Sequence, residues 1–145
     1  EVLVGLTAGI DQLIRGCWDE KHKAYRTTTC KHMRHIPPSG QNSPAALIAQ
    51  AIAYEMVTAR GWGDGEFSCL VALWNKESGW RVNAYNASSG AYGIPQSLPG
   101  SKMASAGADW ETNPATQISW GLGYIGGRYG TPCGAWGHSQ SVGWY

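Results

Sequence analysis

The sequence predicts a mainly α domain, and three observations carry that prediction. Two segments set apolar residues at helical spacing behind a proline at the first helical position, and a third does so behind a capping aspartate. Each of the three stops at a glycine. The length of 145 residues suits one domain able to bury its own core. Only 14% of residues are charged, against about 25% in an average soluble chain. That scarcity argues against a disordered polyelectrolyte and against a coiled coil.

Residues 1 to 40 differ in texture from the rest. Ile10, Leu13 and Ile14 predict a short helix, followed by a loop that ends in the breaker cluster Ile36-Pro37-Pro38-Ser39-Gly40. Six of the 11 Lys and Arg lie between Arg15 and His35, with His22, His32 and His35 and only Asp19 and Glu20 opposing them. This stretch reads as a solvated basic surface, or as an arm facing an anionic polymer. Glu1 to Gly9 lack the basic start and small-residue cleavage site of a signal peptide, so a secreted protein would be present here in its mature form.

Beyond residue 40 the helical signals are stronger. Ser43-Pro44 offers an N-cap and first-position proline, and Leu47, Ile48, Ala51, Ile52 and Met56 follow at helical spacing until Arg60-Gly61. The turn Gly61-Trp62-Gly63-Asp64 precedes a second helix, with Asp64 as its cap and Phe67, Leu70, Val71 and Trp74 as its apolar stripe. Lys76, Glu77 and Ser78 fill its last turn, and Gly79 stops it. From Arg81 to Gly107 the chain is a long loop of Gly, Ser, Asn and Pro with aromatics between, a length expected to serve a function. Asn113-Pro114 opens a third helix carrying Ile118, Leu122, Ile125 and Tyr129, closed by Gly130 and Pro132. Gly121, Gly123, Gly126 and Gly127 weaken that helix, which predicts close packing against another backbone.

Net charge is +1, so the chain lacks the global basic field by which nucleic-acid binders neutralise phosphates. No run of about 18 apolar residues is available to span a bilayer. The four cysteines, Cys17, Cys30, Cys69 and Cys133, contain no C-x-x-C pair and favour two disulfides in an oxidising compartment. Three connectivities are open; we expect Cys17 with Cys30, closing the basic loop, and Cys69 with Cys133. A zinc site from Cys17, Cys30, His32 and His35 is the rival, but its spacing fits no common pattern, and neither a metal nor an organic cofactor is expected.

Glu77 is the residue whose position is hardest to explain structurally. It lies three residues after Trp74 and seven after Leu70, on the stripe that faces the core. Burial there raises a carboxyl pKa and makes a proton donor near neutral pH. The bland alternative turns Glu77 outward or pairs it with Arg81. Downstream, Tyr85, Asn86, Tyr92 and Gln96 among glycines supply the flat and polar surfaces that hold sugar rings.

The run Glu77-Ser78-Gly79-Trp80, then Ser89-Gly90-Ala91-Tyr92-Gly93-Ile94-Pro95-Gln96, resembles the soluble lytic transglycosylases, a goose-type lysozyme-like family with Glu-Ser at a helix end and then Gly-x-x-Gly-Leu-Met-Gln. Arg60-Gly61-Trp62, Asn113-Pro114-Ala115-Thr116-Gln117-Ile118 and Tyr129-Gly130-Thr131-Pro132-Cys133-Gly134-Ala135-Trp136 resemble its actinobacterial secreted branch and related phage tail domains. The likeness runs from about Asn42 to Tyr145 and leaves residues 1–40 unmatched. It implies a lysozyme-like helical domain over residues 41–145, stabilised by disulfides, with a long Gly- and aromatic-rich substrate loop. It also implies cleavage of the β-1,4 bond between N-acetylmuramic acid and N-acetylglucosamine in peptidoglycan, by a monomer secreted to the cell envelope or carried on a virion. Glu77 would be the acid and then the base, Ser78 would hold the muramic acid group, and Gly93, Ile94 and Gln96 would line the groove with Trp80 and Tyr92. The family often places Ala-Tyr-Asn near its end, with the tyrosine hydroxyl close to the glutamate. Here Ala135-Trp136-Gly137-His138-Ser139-Gln140 stands instead, making His138 and Gln140 the candidates for that contact.

Counting acids selects a mechanism. Glycoside hydrolysis usually needs two carboxylates, roughly 5 Å apart for retention or 6.5 to 9.5 Å for inversion. Between Ser78 and Ala108 there is no Asp or Glu, and Asp109 and Glu111 read as acids at a helix start. A single acid suffices if the sugar's own 6-hydroxyl is the nucleophile, which leaves a 1,6-anhydromuramoyl end. The rivals are an inverting lysozyme, a chitin-cleaving relative, and a non-catalytic wall-binding module that grips glycan in the groove and anionic wall polymer with the basic arm.

Overall fold

The computed structural model describes residues 17–19, 24–26 and 43–145. The expected helix around Ile10, the Cys17–Cys30 pairing and the zinc alternative lie outside the described residues. β1 (Cys17–Asp19) and β2 (Ala24–Arg26) pair antiparallel with Trp18 opposite Tyr25, in a stretch the sequence predicts as loop.

The remainder is mainly helical: α1 (Pro44–Ala59), α2 (Asp64–Ser78), a 3-10 helix (Gly100–Ser105), α3 (Pro114–Arg128) and α4 (Pro132–Val142). Ser43 Oγ accepts the Ala46 N–H at 3.1 Å, and Asn113 Oδ1 accepts the Ala115 N–H at 2.9 Å, so both expected caps hold their helix starts. α2 differs. Gly63 is its cap, and Asp64 is its first residue, taking the Tyr54 hydroxyl of α1 at 3.0 Å. α4 is a helix where the sequence reading stops at Pro132. Thr131-Pro132 repeats the cap-and-proline signal, with Thr131 Oγ1 accepting the Gly134 N–H, but Gly134 and Gly137 mask the periodicity that follows.

The core forms where the four helices meet, from Leu70, Leu73 and Trp74 of α2, Ile118, Leu122 and Ile125 of α3, and Ala135 of α4. α1 contributes mainly small residues. Ala46, Ala49, Ala53 and Val57 are buried, whereas Ile48 is 41% exposed and Leu47, Ile52 and Met56 are half-buried. The buried face is thus rotated from the large apolar residues towards the alanines, which let α1 approach its neighbours closely. Trp74 explains Gly121 in a similar way: a Cβ there would lie 2.6 Å from the indole, so the expected close approach to that helix is made by a side chain rather than a backbone. Gly127 has open space around it.

Cys69 and Cys133 form a disulfide that joins α2 to α4, with Cα atoms 5.0 Å apart across 64 residues of sequence. Glu66 Oε1 accepts the Cys133 N–H at 2.8 Å beside it, and Lys76 Nζ donates to Ser139 Oγ at 2.6 Å further along the same pair of helices. These cross-links place the end of α2 firmly against α4. Among the described residues no helix is long and apolar enough to cross a membrane.

Candidate functional site

Glu77 occupies the last turn of α2, one turn beyond the buried Trp74. Its side chain is half-buried, and burial raises its pKa, with the neighbouring Lys76 charge pulling the other way. Lys76 is turned to Ser139, and Arg81 Nε donates to the Ser78 carbonyl at 2.9 Å, so a backbone contact stands where the bland alternative had a Glu77–Arg81 pair. Among the residues described with their side chains, the other acids are hydrogen-bonded or exposed. Asp64 and Glu66 bond Tyr54 and the Cys133 N–H, and Glu55 and Glu111 are exposed. Asp109 accepts Asn113 Nδ2 at 2.8 Å and Thr116 Oγ1 at 2.7 Å, and those bonds lower its pKa.

The chain reverses immediately after Glu77. Gly79 takes the left-handed conformation at φ 62°, and Trp80 follows at φ 61°, an uncommon value for a bulky residue. The packing explains how it persists. Trp80 is 1% exposed, meets Trp74 edge-on at 5.1 Å, and donates its indole N–H to the Val71 carbonyl at 3.3 Å. It is a core residue with no face to offer a sugar, a correction to its expected place in the groove. Ser78 is also buried. Its Oγ donates to the Ile94 carbonyl at 2.7 Å and accepts the Trp80 N–H at 3.1 Å, so the hydroxyl fastens the helix end to the loop instead of reaching outward.

The loop from 81 to 113 is held by its own backbone bonds, such as those between Tyr92 and Ser97, and by side chains bonding backbone. Gln117 of α3 is fully buried; its Oε1 accepts the Ile94 N–H at 2.8 Å, and its Nε2 donates to the Val82 and Trp110 carbonyls at 3.0 and 2.9 Å. Gly93, at φ 84°, passes so close that a Cβ would sit 2.7 Å from Gln117 Oε1. Ile94 is buried beneath this turn. Gln96 adopts φ 57° and spends its amide N–H groups on the Ala84 and Gly93 carbonyls. Tyr92 bridges to both Tyr85 and Ser97, donates its hydroxyl to the Glu111 carbonyl at 2.8 Å, and packs edge-on against Trp110. Of the expected groove residues, Gln96 and Tyr92 retain partial exposure, while Ser78, Trp80, Gly93 and Ile94 are interior.

Tyr145 connects these parts. Its hydroxyl accepts the Trp74 indole N–H at 2.9 Å and donates to the Pro95 carbonyl at 2.7 Å, tying α2 to the loop. Burial holds the phenol well above its usual pKa, the Trp74 bond opposes that, and the Glu77 charge adds to it. His138 packs with its ring 5.1 Å from Tyr129 and 4.7 Å from Trp144, and Gln140 is exposed. The hydroxyl that feels the Glu77 charge therefore comes from Tyr145, beyond any periodic element that sequence could have flagged.

Beside Tyr145 a cleft of about 90 Å³ opens, walled by Gln96, Leu98 and Lys102 on one side and by Trp120 and Tyr124 of α3 on the other. Trp120 and Tyr124 stack at 5.4 Å with their planes 9° apart, the i, i+4 pairing of one helix face. That spacing was the available signal for them, and Lys102 carried none. Among the described residues no group of three or more His, Cys, Asp or Glu could hold a metal ion. Comparison with protein-family models, with curated proteins and with solved structures gives no match for this chain.

Proposed function

We propose that this chain is a lysozyme-like lytic transglycosylase that cleaves the β-1,4 bond between N-acetylmuramic acid and N-acetylglucosamine in peptidoglycan. The observation that carries the reading is Glu77: a half-buried carboxyl with a raised pKa, at the end of a helix locked to its neighbours, whose charge acts on Tyr145, a residue that lines an aromatic cleft. Its likeness to the Glu-Ser and Gly-x-x-Gly-x-x-Gln pattern of that family supports the same assignment.

In this mechanism neutral Glu77 gives its proton to the glycosidic oxygen as the bond to the anomeric carbon breaks. The resulting carboxylate takes the proton of the muramoyl 6-hydroxyl while that oxygen closes on the same carbon. The products are a 1,6-anhydromuramoyl end and a free 4-hydroxyl on the departing N-acetylglucosamine. Intramolecular attack replaces the second carboxylate, because a tethered hydroxyl has the proximity that a water must otherwise be given. Asp109, with its oxygens held by Asn113 and Thr116 and its pKa lowered, is suited to structure rather than proton transfer. The protein would act outside the cytoplasm, at a cell envelope or from a phage particle, in keeping with its disulfide.

Digestion of purified cell walls tests the reading. The wild-type protein should release anhydromuropeptides detectable by mass spectrometry, and Glu77→Gln should release none while still sedimenting with walls. Reducing-end products would replace the transglycosylase by an inverting lysozyme. Unchanged lysis by Glu77→Gln would remove the acid role altogether.

A further inference from the structure

Lys76 stands directly before Glu77 in the last turn of α2, and its ammonium is tied down. Nζ donates across to α4, to Ser139 Oγ at 2.6 Å and to the Ser139 carbonyl at 3.2 Å. We propose that Lys76 is a positioning residue for the reaction: anchored on Ser139, its fixed charge acts on Glu77 from α4 and lets one carboxyl serve as acid and then as base. This deepens the function proposed above and rests on it.

Helix geometry makes the anchor necessary. Neighbouring residues point about 100° apart around a helix and do not face each other, so a loose Lys76 stem would carry its charge into water. Ser139 prevents that. It is 1% exposed, so although Lys76 as a residue is exposed, its ammonium ends on a buried hydroxyl between two helices. A charge held there acts on the half-buried carboxyl partly through protein, where water and salt screen it less. The same contact puts a cation in the last turn of α4, where the helix carbonyls favour one.

The chemistry gives this charge a use. A carboxyl that donates a proton and then accepts one must hold it neither too loosely nor too tightly. Burial favours the neutral form of Glu77, and Lys76 favours the carboxylate. The groups on the other sides are phenols or are engaged elsewhere. The Tyr145 hydroxyl feels the Glu77 charge, Tyr124 and Tyr129 of α3 pack around the Tyr145 ring, and burial holds Tyr145 and Tyr129 above the usual tyrosine range. His138 of α4 packs on Tyr129, and Arg81 of the loop bonds the Ser78 carbonyl. On α1, Tyr54 bonds Asp64 and Glu55 is exposed, while Arg60 at its end lies over Trp62. Lys76 is thus the cation placed to offset burial.

Carbon-13 NMR of labelled glutamate, with the Glu77 carboxyl identified by its absence from Glu77→Gln, reads this without relying on activity. Lys76→Met should make Glu77 titrate at higher pH, raising its protonated fraction above the titration about threefold, the size expected of an exposed cation. Lys76→Arg should leave the curve near wild type. Ser139→Ala should move it in the Lys76→Met direction, because the released stem takes its charge into water. Lysis of purified walls across pH should show the alkaline limb moving with the NMR curve in each variant. If Lys76 only caps α4, Lys76→Met and Ser139→Ala would lower the melting temperature and leave both curves in place, which would overturn the proposal. So would a shift as large in Lys76→Arg as in Lys76→Met, or an alkaline limb that stays put while the titration moves. Failure of the glycan-cleaving reading shows separately, as wall lysis by Glu77→Gln at the wild-type rate, whatever the titration does.

Discussion

Replacing Gln117 by leucine should remove the fastening on which the loop depends. Leucine fills nearly the same volume but offers neither donor nor acceptor, so three backbone groups lose a partner at once. The Ile94 N–H is the most serious loss, because Ile94 is fully buried and an unsatisfied buried group costs about 1–3 kcal/mol. The Val82 and Trp110 carbonyls belong to half-buried residues that water can reach, and each should cost about 0.5 kcal/mol. The sum is about 3 kcal/mol, a large share of the roughly 5–15 kcal/mol typical of a domain. Urea unfolding followed by tryptophan fluorescence should show the midpoint falling with the slope unchanged. Hydrogen exchange adds location: the Ile94 amide should lose more protection than amides in the middle of α1. A loss below about 1 kcal/mol, or an Ile94 amide as protected as before, would refute the idea that this one amide holds the loop.

Three other outcomes follow from the same structure. Burial raises the Glu77 pKa, so the native state holds a proton that the unfolded chain has released; stability should fall as pH rises from the ordinary glutamate value through the raised one and level off above it. Glu77→Gln should therefore be more stable than wild type at pH 7, with the difference vanishing at pH 4, as thermal melts at both values would show. Serine at Cys69 and Cys133 opens a loop of 64 residues and should cost about 4 kcal/mol, measurable by denaturation, whereas equal stability would mean the bond does not constrain the unfolded chain. Tyr145→Phe strands the Trp74 indole N–H and the Pro95 carbonyl and should cost about 2 kcal/mol, with a change in tryptophan emission.

Helix starts were the most legible part of the chain. Ser43 and Asn113 act as the caps their side chains predict, because capping is a local interaction between residues three or fewer apart. The pairing of Cys69 with Cys133 agrees with the expectation as well. The buried face of α1 was less legible: large apolar residues dominate a periodicity argument, yet close helix packing favours Ala46, Ala49 and Ala53. α4 escaped because its glycines dilute the pattern behind a good cap.

At the candidate site the glutamate was readable from its stripe, but the roles around it were not. Ser78 and Trp80 lie within three residues of Glu77, which made them look like parts of a groove; Ser78 is buried at the helix end against Ile94, and the left-handed turn at Gly79 carries Trp80 into the core. Gln117 and Tyr145 act over 23 and 50 residues of sequence, and no local pattern announces such contacts.

The scaffold around Glu77 is assembled from amides, hydroxyls and indoles: Ser78, Gln96, Gln117, Tyr92, Trp74 and Tyr145. The amides, serine hydroxyl and indole among them carry no charge between about pH 4 and 9, and burial keeps the Tyr145 phenol neutral over the same range. This part of the frame is thus silent across the range in which the Glu77 carboxyl responds, while the charged members of the frame, Glu66 and Lys76, join α2 to α4. Under the proposed mechanism, a pH–activity curve would report the Glu77 carboxyl on its alkaline side. In the mechanism proposed above, proton transfer and the support of the loop therefore fall to different kinds of atoms.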